Sequence, residues 1–337
     1  MDWNILLLHS KRETLLKTAL EAAFPGKVIS LFRPGLNDPW MSECPTTNEV
    51  WKYFRTRVFN PSIWSRRVLT IYGSGSLHHY THSLTRLSTE RRGFDPEKLE
   101  WTYAHFDNHR DTWLDHSRGG NSINCGGFVD LIARDHGGVP FLIGTDVYPR
   151  KDIKGYSFSG RKIPIFSNYF SSKIKRKFPW HTYRGPGLRS FTYATQLPSE
   201  EDLLLTPRPS YLSFDLDVLR STELVSDFDH HHYMTLRRLC QIVDKVRGYK
   251  SIFGADILGM PDNCYHPLSA LTVVILAKKI LGGGIKNLLS FHTHAKRVQA
   301  PLIRQYKNIY KFEDDHERPS PITESQLLEV LKANALS

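Results

Sequence analysis

The sequence predicts an α/β protein built on a mostly parallel sheet covered by helices on both faces. Three observations lead there. Short apolar runs recur along the 337 residues, stretches with helical spacing separate several of them, and turn-forming residues mark the junctions. Hydrophobic residues make up 40% and charged residues 23%, which is enough apolar material for a core and excludes a disordered chain, a collagen and a coiled coil.

The elements follow in order. Residues 5–8 form a first buried strand. Leu15, Leu16, Ala19, Leu20 and Ala23 then lie at helical spacing, and Pro25-Gly26 ends that helix before a second strand at 28–32. A polar, proline-containing stretch covers 33–47. Residues 68–72 make another strand, running into Gly73-Ser74-Gly75-Ser76-Leu77-His78-His79-Tyr80. Further short strands are expected at 99–106, 139–143, 211–214, 251–254 and 288–291, with helices at 236–246 and 268–280. No fixed-period repeat is visible, so the chain reads as one domain, with an insertion at about residues 150–205.

No stretch approaches the roughly 18 apolar residues needed to span a bilayer, so no membrane association is expected. The start of the chain lacks the basic n-region and long apolar core of a signal peptide. Cys44, Cys125, Cys240 and Cys264 are far apart with no Cys-x-x-Cys pair, which argues against a disulfide framework or a zinc ribbon. A reducing cytoplasm is the default expectation.

The charge balance is 45 − 34 = +11, a field that favours acidic partners. The basic residues are dispersed, however, and the densest run, 173–177, reads as solvated surface. No recognition motif accompanies the charge, so nucleic acid is the weaker partner. Oligomeric state is left open, a homo-oligomer included.

The chemistry gathers at strand ends, where parallel sheets place their sites. In extended chain, residues two apart face the same side. Asp107, His109 and Asp111 therefore converge as one strand enters its loop, and Asp215 and Asp217 converge at the end of another. Either motif alone reads equally as a cap or solvated loop. Four acids and an imidazole facing one place repel each other unless cations neutralise them. His78 or His79 offers a further imidazole, and spacing does not choose between them. Carboxylates with one or two imidazoles and no sulfur suit manganese, with iron and cobalt as alternatives and zinc less suited. A pair of such ions can make a hydrolytic hydroxide near neutral pH.

These residues resemble the arginase/agmatinase (ureohydrolase) superfamily, which shares its fold with the histone deacetylases. Gly75-Ser76-Leu77-His78, Asp107-Asn108-His109-Arg110-Asp111 and Ser213-Phe214-Asp215-Leu216-Asp217 stand where the family carries three metal motifs, and Gly254-Ala255-Asp256-Ile257-Leu258 resembles a later strand. The resemblance implies a three-layer sandwich around an eight-stranded, mostly parallel sheet and two Mn2+ ions per chain. His78 or His79, Asp107, Asp111 and Asp215 would hold one ion. Asp107, His109, Asp215 and Asp217 would hold the other, and Asp111 would orient the attacking hydroxide.

Two departures bear on substrate. The family's guanidinium-binding Glu position is Gly259 here, followed by Met260-Pro261-Asp262, and its proton-shuttling His is missing from Gly119-Gly120-Asn121-Ser122-Ile123-Asn124-Cys125. Asp262 is the candidate substitute for the Glu and His116 for the His, with Asn121, Asn124 and His292 as substrate-binding candidates. The chain most resembles the peptide arginases, which convert arginine in ribosomally made precursor peptides to ornithine. The expected partner is then an arginine-containing peptide, with an acidic leader matched to the basic surface. An amide hydrolase of deacetylase type and a non-catalytic metal-stabilised binding protein are the rival readings. His292 and His294 are expected at the end of the 288–291 strand, on the same rim. Residues 229–233 read as a cap or surface loop, Cys125 has no base placed beside it, and Gly282-Gly283-Gly284 reads as a helix-ending loop rather than a phosphate cradle.

Overall fold

The structure is a computed structural model. It describes residues 2–10, 14–33, 45–109, 111, 123–144, 197–204, 206–224, 234–260, 266–309 and 320–335, with backbone alone at 130, 201–202 and 298–309 and at four short strands between 156 and 191. The first strand is β1 (Trp3–His9), followed by α1 (Leu15–Ala23) and β2 (Val28–Phe32). Thr14 caps α1 by accepting from Lys17 N at 3.1 Å. Next come α2 (Thr47–Tyr53), β3 (Arg67–Ile71), α3 (Tyr80–Arg92), β4 (Trp101–Phe106), α4 (Phe128–His136) and β5 (Gly138–Ile143). The segment expected as an insertion contributes β6 (Tyr156–Phe158), β7 (Arg161–Ile163), β8 (Thr182–Gly185) and β9 (Leu188–Phe191). The chain continues through α5 (Glu200–Leu204), β10 (Pro209–Asp215), α6 (Leu236–Tyr249), β11 (Ser251–Leu258), α7 (Pro267–Leu281), α8 (Lys286–Ile309) and α9 (Glu324–Ala333).

The main sheet has the order β2-β1-β3-β11-β10-β4-β5-β9-β8. Eight strands, β2 through β9 in that order, run parallel, and β8 joins the edge antiparallel to β9. Strand alternation divides the core. Ile5 and Leu7 face one helical layer, with α1, α6, α7 and α9, whereas Leu6 and Leu8 face the other, with α2, α3 and α4. Because both faces are covered, the central strands are buried on both sides: every residue of β4 and β5 is buried. The three-layer α/β expectation therefore stands. No helix among the described residues is long and apolar enough to cross a membrane.

One expected strand is a helix. Residues 288–291 belong to α8, where Ile285, Leu288, His292 and Ala295 form the buried stripe. A run of only four apolar residues cannot separate period two from period 3.6; the longer stripe decides for helix. The three glycines before α8 do end a helix, as expected: Gly282 takes the left-handed conformation, φ +86°, that closes α7.

Candidate metal centre

Three strand ends build the site. Asp107 follows β4 and is pinned to its neighbour by Asp107 N donating to Ile143 O at 3.1 Å. Asp215 closes β10, and a single 3-10 turn carries Asp217. Beyond β3, Ser74 caps the short turn Gly75–Leu77, which delivers His78 and then α3. His78 Nδ1 lies 3.0 Å from Asp107 Oδ2, 3.1 Å from Asp111 Oδ2 and 3.6 Å from Asp215 Oδ2. His109 Nδ1 lies 2.8 Å from Asp217 Oδ2 and 3.4 Å from Asp107 Oδ1. Backbone donors hold the acids in place: Asn108 N to Asp217 Oδ1 at 3.0 Å, His109 N to Asp107 Oδ1 at 2.5 Å, and Asp217 N to Asp215 Oδ1 at 3.1 Å.

His78, rather than His79, therefore faces the carboxylates. His79 takes the N-cap position of α3 and packs its ring against Tyr80. Beneath His78 lies a second layer. Ser213 Oγ donates to Asp256 Oδ1 at 2.6 Å, and Tyr211 OH donates to Asp256 Oδ2 at 3.0 Å. With its proton so committed, Ser213 Oγ accepts from His78 Nε2 at 3.0 Å. Burial opposes charging of the ring, but Asp107 and Asp111 outweigh it and raise its pKa; in the neutral form this bond leaves the Nδ1 lone pair facing the acids. That is the tautomer a metal ligand needs.

The residues fit a cation. Two donor groups, His78/His105/Asp107 and Asp107/His109/Asp217, each bring their ligand atoms within 4.8 Å of one another and share Asp107. His78 Nδ1, His105 Nε2 and Asp217 Oδ2 are buried without an aligned hydrogen-bond partner. The electrostatics agree: burial and the charge of Asp107 push Asp111 up to about 8 and Asp217 up to about 7. Burial and the charges of Asp217 and Asp107 also raise Asp215 well above the carboxylate range. Burial opposes ionisation of Asp107, but His105, His109 and His78 outweigh it and hold this carboxyl low. His109 is driven up to about 12 by its bonds to Asp107 and Asp217, and burial holds His105 down to about 3. Such a set of opposed carboxylates needs neutralising charge.

Two backbone features shape the site. Asp111 adopts φ +49°, and its carbonyl accepts from Val129 N at 3.1 Å, tying the acid to the start of α4. Gly259, just past β11, has φ +93°, and a Cβ there would lie 2.2 Å from Asp215 Oδ1 and 2.7 Å from Leu216 N. No side chain fits at 259 unless Asp215 moves, so position 259 itself carries no carboxylate.

His105 was missed by the sequence reading. It sits two residues before Asp107 in the same strand, so the alternation that grouped Asp107 with His109 extends backwards to it. Its Nε2 is 3.3 Å from Asp107 Oδ2 and 3.9 Å from Asp111 Oδ2. Asn124 is half-buried in the turn before α4. Cys125 lies in the same turn, its thiol pushed up by burial and by the Asp111 charge. His292 is a correction. It is fully buried on α8, its Nε2 2.9 Å from Thr272 Oγ1 and 3.2 Å from the Glu223 carbonyl, so its ring is held within helix packing and is not at a strand-end rim. His294 is exposed on the same helix. His116, Asn121, Asp262 and the runs 173–177 and 229–233 lie outside the described residues.

No protein-family model matches the chain, and no curated protein matches it. Solved structures do match. A hypothetical agmatinase from Burkholderia thailandensis superposes with a TM-score of 0.52 at 17% identity, covering 84% of each chain. Arginase from Bacillus caldovelox superposes with a TM-score of 0.51 at 14% identity, covering 84% of this chain and 99% of that one. The protein has the fold of the agmatinases and arginases, the ureohydrolase fold.

Proposed function

We propose that the protein is a metal-dependent hydrolase of a guanidino C–N bond, with arginine in a peptide as substrate and two manganese ions as cofactor. The observation carrying this reading is the pair of donor groups sharing Asp107 at the carboxyl edge of the parallel sheet. His78, Asp107, Asp111 and Asp215 would hold one ion and Asp107, His109, Asp215 and Asp217 the other, with His105 beside the first. Divalent cations bound there would supply the Lewis acidity that lets water act as a nucleophile near neutral pH. Oxygen and imidazole donors without sulfur favour manganese.

The chain's own residues do the rest. Ser213 and Asp256 fix the His78 ring. Asp111, its side chain 9% exposed and 3.1 Å from His78 Nδ1, would orient the attacking water. His109, with a half-exposed side chain, borders the mouth. Water adds to the guanidino carbon Cζ, the Cζ–Nε bond breaks with Nε leaving protonated as the ornithine amine, and the products are ornithine and urea. Peptidyl rather than free arginine is supported by the lack of room for a carboxylate side chain at Gly259 and by the basic net charge, which suits an acidic leader.

The test is urea release together with peptide mass after manganese loading, on free arginine, agmatine and an arginine-containing precursor peptide. The expected result is loss of CN2H2 per arginine in the peptide alone, abolished by Asp107→Ala. Turnover of free arginine alone would overturn the peptide reading. Silence on all three substrates with metal still bound would overturn the hydrolase reading.

A further inference from the structure

Far from the carboxylates, four arginines line one cavity. The chain enters β3 through Arg66 and Arg67, and α3 ends in Arg91 and Arg92. The two segments meet around an open cavity of 370 Å³ also bordered by Asp2 and Phe94. Helix α3 accounts for two of these residues, since cations are stabilised at a helix carboxyl end. It does not account for Arg66 and Arg67 arriving from another element at the same place.

The side chains are held rather than dispersed. Arg67 lies 5.1 Å over the Trp3 ring and donates to Ile252 O at 3.4 Å. Arg91 donates to Ser65 O at 2.6 Å, and Arg92 lies 5.5 Å over the Phe253 ring. Among the described residues only Asp2 opposes them at the cavity, 3.7 Å from Arg67 Nε, so the four guanidinium groups less that carboxylate leave three positive charges uncompensated there. The crowding registers on Arg92, whose pKa is lowered by burial and by the charges of Arg67 and Arg91.

The location is separate from the candidate metal centre. Arg67 bonds to Ile252 at the beginning of β11, whereas Gly259 meets Asp215 past its other end. Seven residues of strand at about 3.3 Å each put the two about 23 Å apart.

We propose that this cavity binds a small, multiply charged oxyanion of the diphosphate type, free or as the phosphate tail of a nucleotide. Guanidinium groups match phosphate oxygens two at a time. A diphosphate concentrates in one small volume the charge that three cations require; an acidic peptide spreads single charges along its length.

Calorimetric titration of the full, metal-loaded chain, freed of excess metal, tests this with pyrophosphate, ADP and a glutamate-rich peptide. Pyrophosphate should saturate one site per chain, weaken as salt is raised, and lose about tenfold or more in affinity in both Arg66→Gln and Arg92→Gln. Both side chains are exposed, so the fold should persist, and thermal melting checks that. ADP binding as tightly identifies the nucleotide source, and ADP failing while pyrophosphate binds identifies the free anion. The affinity should survive Asp107→Ala; its loss there would mean that the anion sits on the metal centre, and would overturn the proposal. No saturable binding, binding indifferent to both variants, or equal binding of the glutamate-rich peptide would also overturn it.

Discussion

Gly259→Ala isolates the closest backbone approach in the candidate metal centre. Its Cβ would stand 2.2 Å from Asp215 Oδ1, where ordinary contact begins at 3.4 Å, so the carboxylate must move by more than an ångström. That movement breaks the 3.1 Å bond from Asp217 N to Asp215 Oδ1 and pulls Asp215 away from His78. A left-handed backbone at a non-glycine residue costs about 1–2 kcal/mol. A buried acceptor stripped of its bond costs about 1–3 kcal/mol more. The variant should lose about 2–5 kcal/mol in urea unfolding and about 10–100-fold in manganese affinity by calorimetry. Gly26→Ala supplies the control, with φ +70° and nothing within 4 Å of the new Cβ, so it carries the backbone term alone. Equal losses in the two variants, or unchanged metal affinity in Gly259→Ala, would refute the argument that a clash with Asp215 closes this turn.

Gly248, in α6 with open space around its Cβ and no positive φ, should give about 0.5–1 kcal/mol of added stability on replacement by Ala, measured by chemical denaturation. Asp215→Asn should leave the metal-free protein as stable or more so by about 1 kcal/mol, because it removes a charge opposed by burial and by Asp217 and Asp107. The same variant should lose the rise in melting temperature that manganese gives the parent. Acid should weaken the fold through His82 and His136, whose rings lie 4.3 Å apart and whose pKa values burial lowers. As pH falls below about 6.5 these imidazoles take up protons more readily in the unfolded chain, so stability drops by at most about 1.4 kcal/mol per pH unit for each, less for His82, which Asp135 partly offsets. His136→Phe should reduce the slope of unfolding free energy between pH 5 and 6.5, and an unchanged slope would exclude this pair as its source.

The parallel sheet was legible because its strands are buried on both faces and so read as short apolar runs, as at Val68, Leu69 and Ile71 or Leu212 and Phe214. The acids were legible for a different reason. Asp107 and Asp215 interrupt such runs at their ends, where a buried strand has no packing use for a carboxylate. His105 is not legible in the same way because it lies inside the buried run rather than at its end, where an imidazole reads as part of the strand. The choice between His78 and His79 depends on where one 3-10 turn hands over to α3, which is a matter of geometry and not of spacing. Residues 288–291 were misread because the stripe Ile285, Leu288, His292, Ala295 is interrupted by a histidine, and an apolar pattern passes over a buried imidazole satisfied by Thr272.

The arrangement of the acids bears on how folding and ligand loading are connected. Asp107, Asp215 and Asp217 are almost fully buried at the end of a sheet whose interior is apolar, and burial alone would drive each towards its neutral form. Hydrogen bonds from backbone N–H groups, with the imidazoles of His78 and His109 close by, relieve part of that opposition. They leave His105 Nε2 and Asp217 Oδ2 without aligned partners. A group of this kind weakens the fold until a cation joins it, and any cation bound only in the folded state stabilises that state in proportion to the logarithm of its concentration. Manganese added to the purified chain should therefore raise its melting temperature with no substrate present, and the rise should disappear in Asp107→Ala because both donor groups share that residue. Melting measured against metal concentration thus tests the centre by itself, before any peptide has been found.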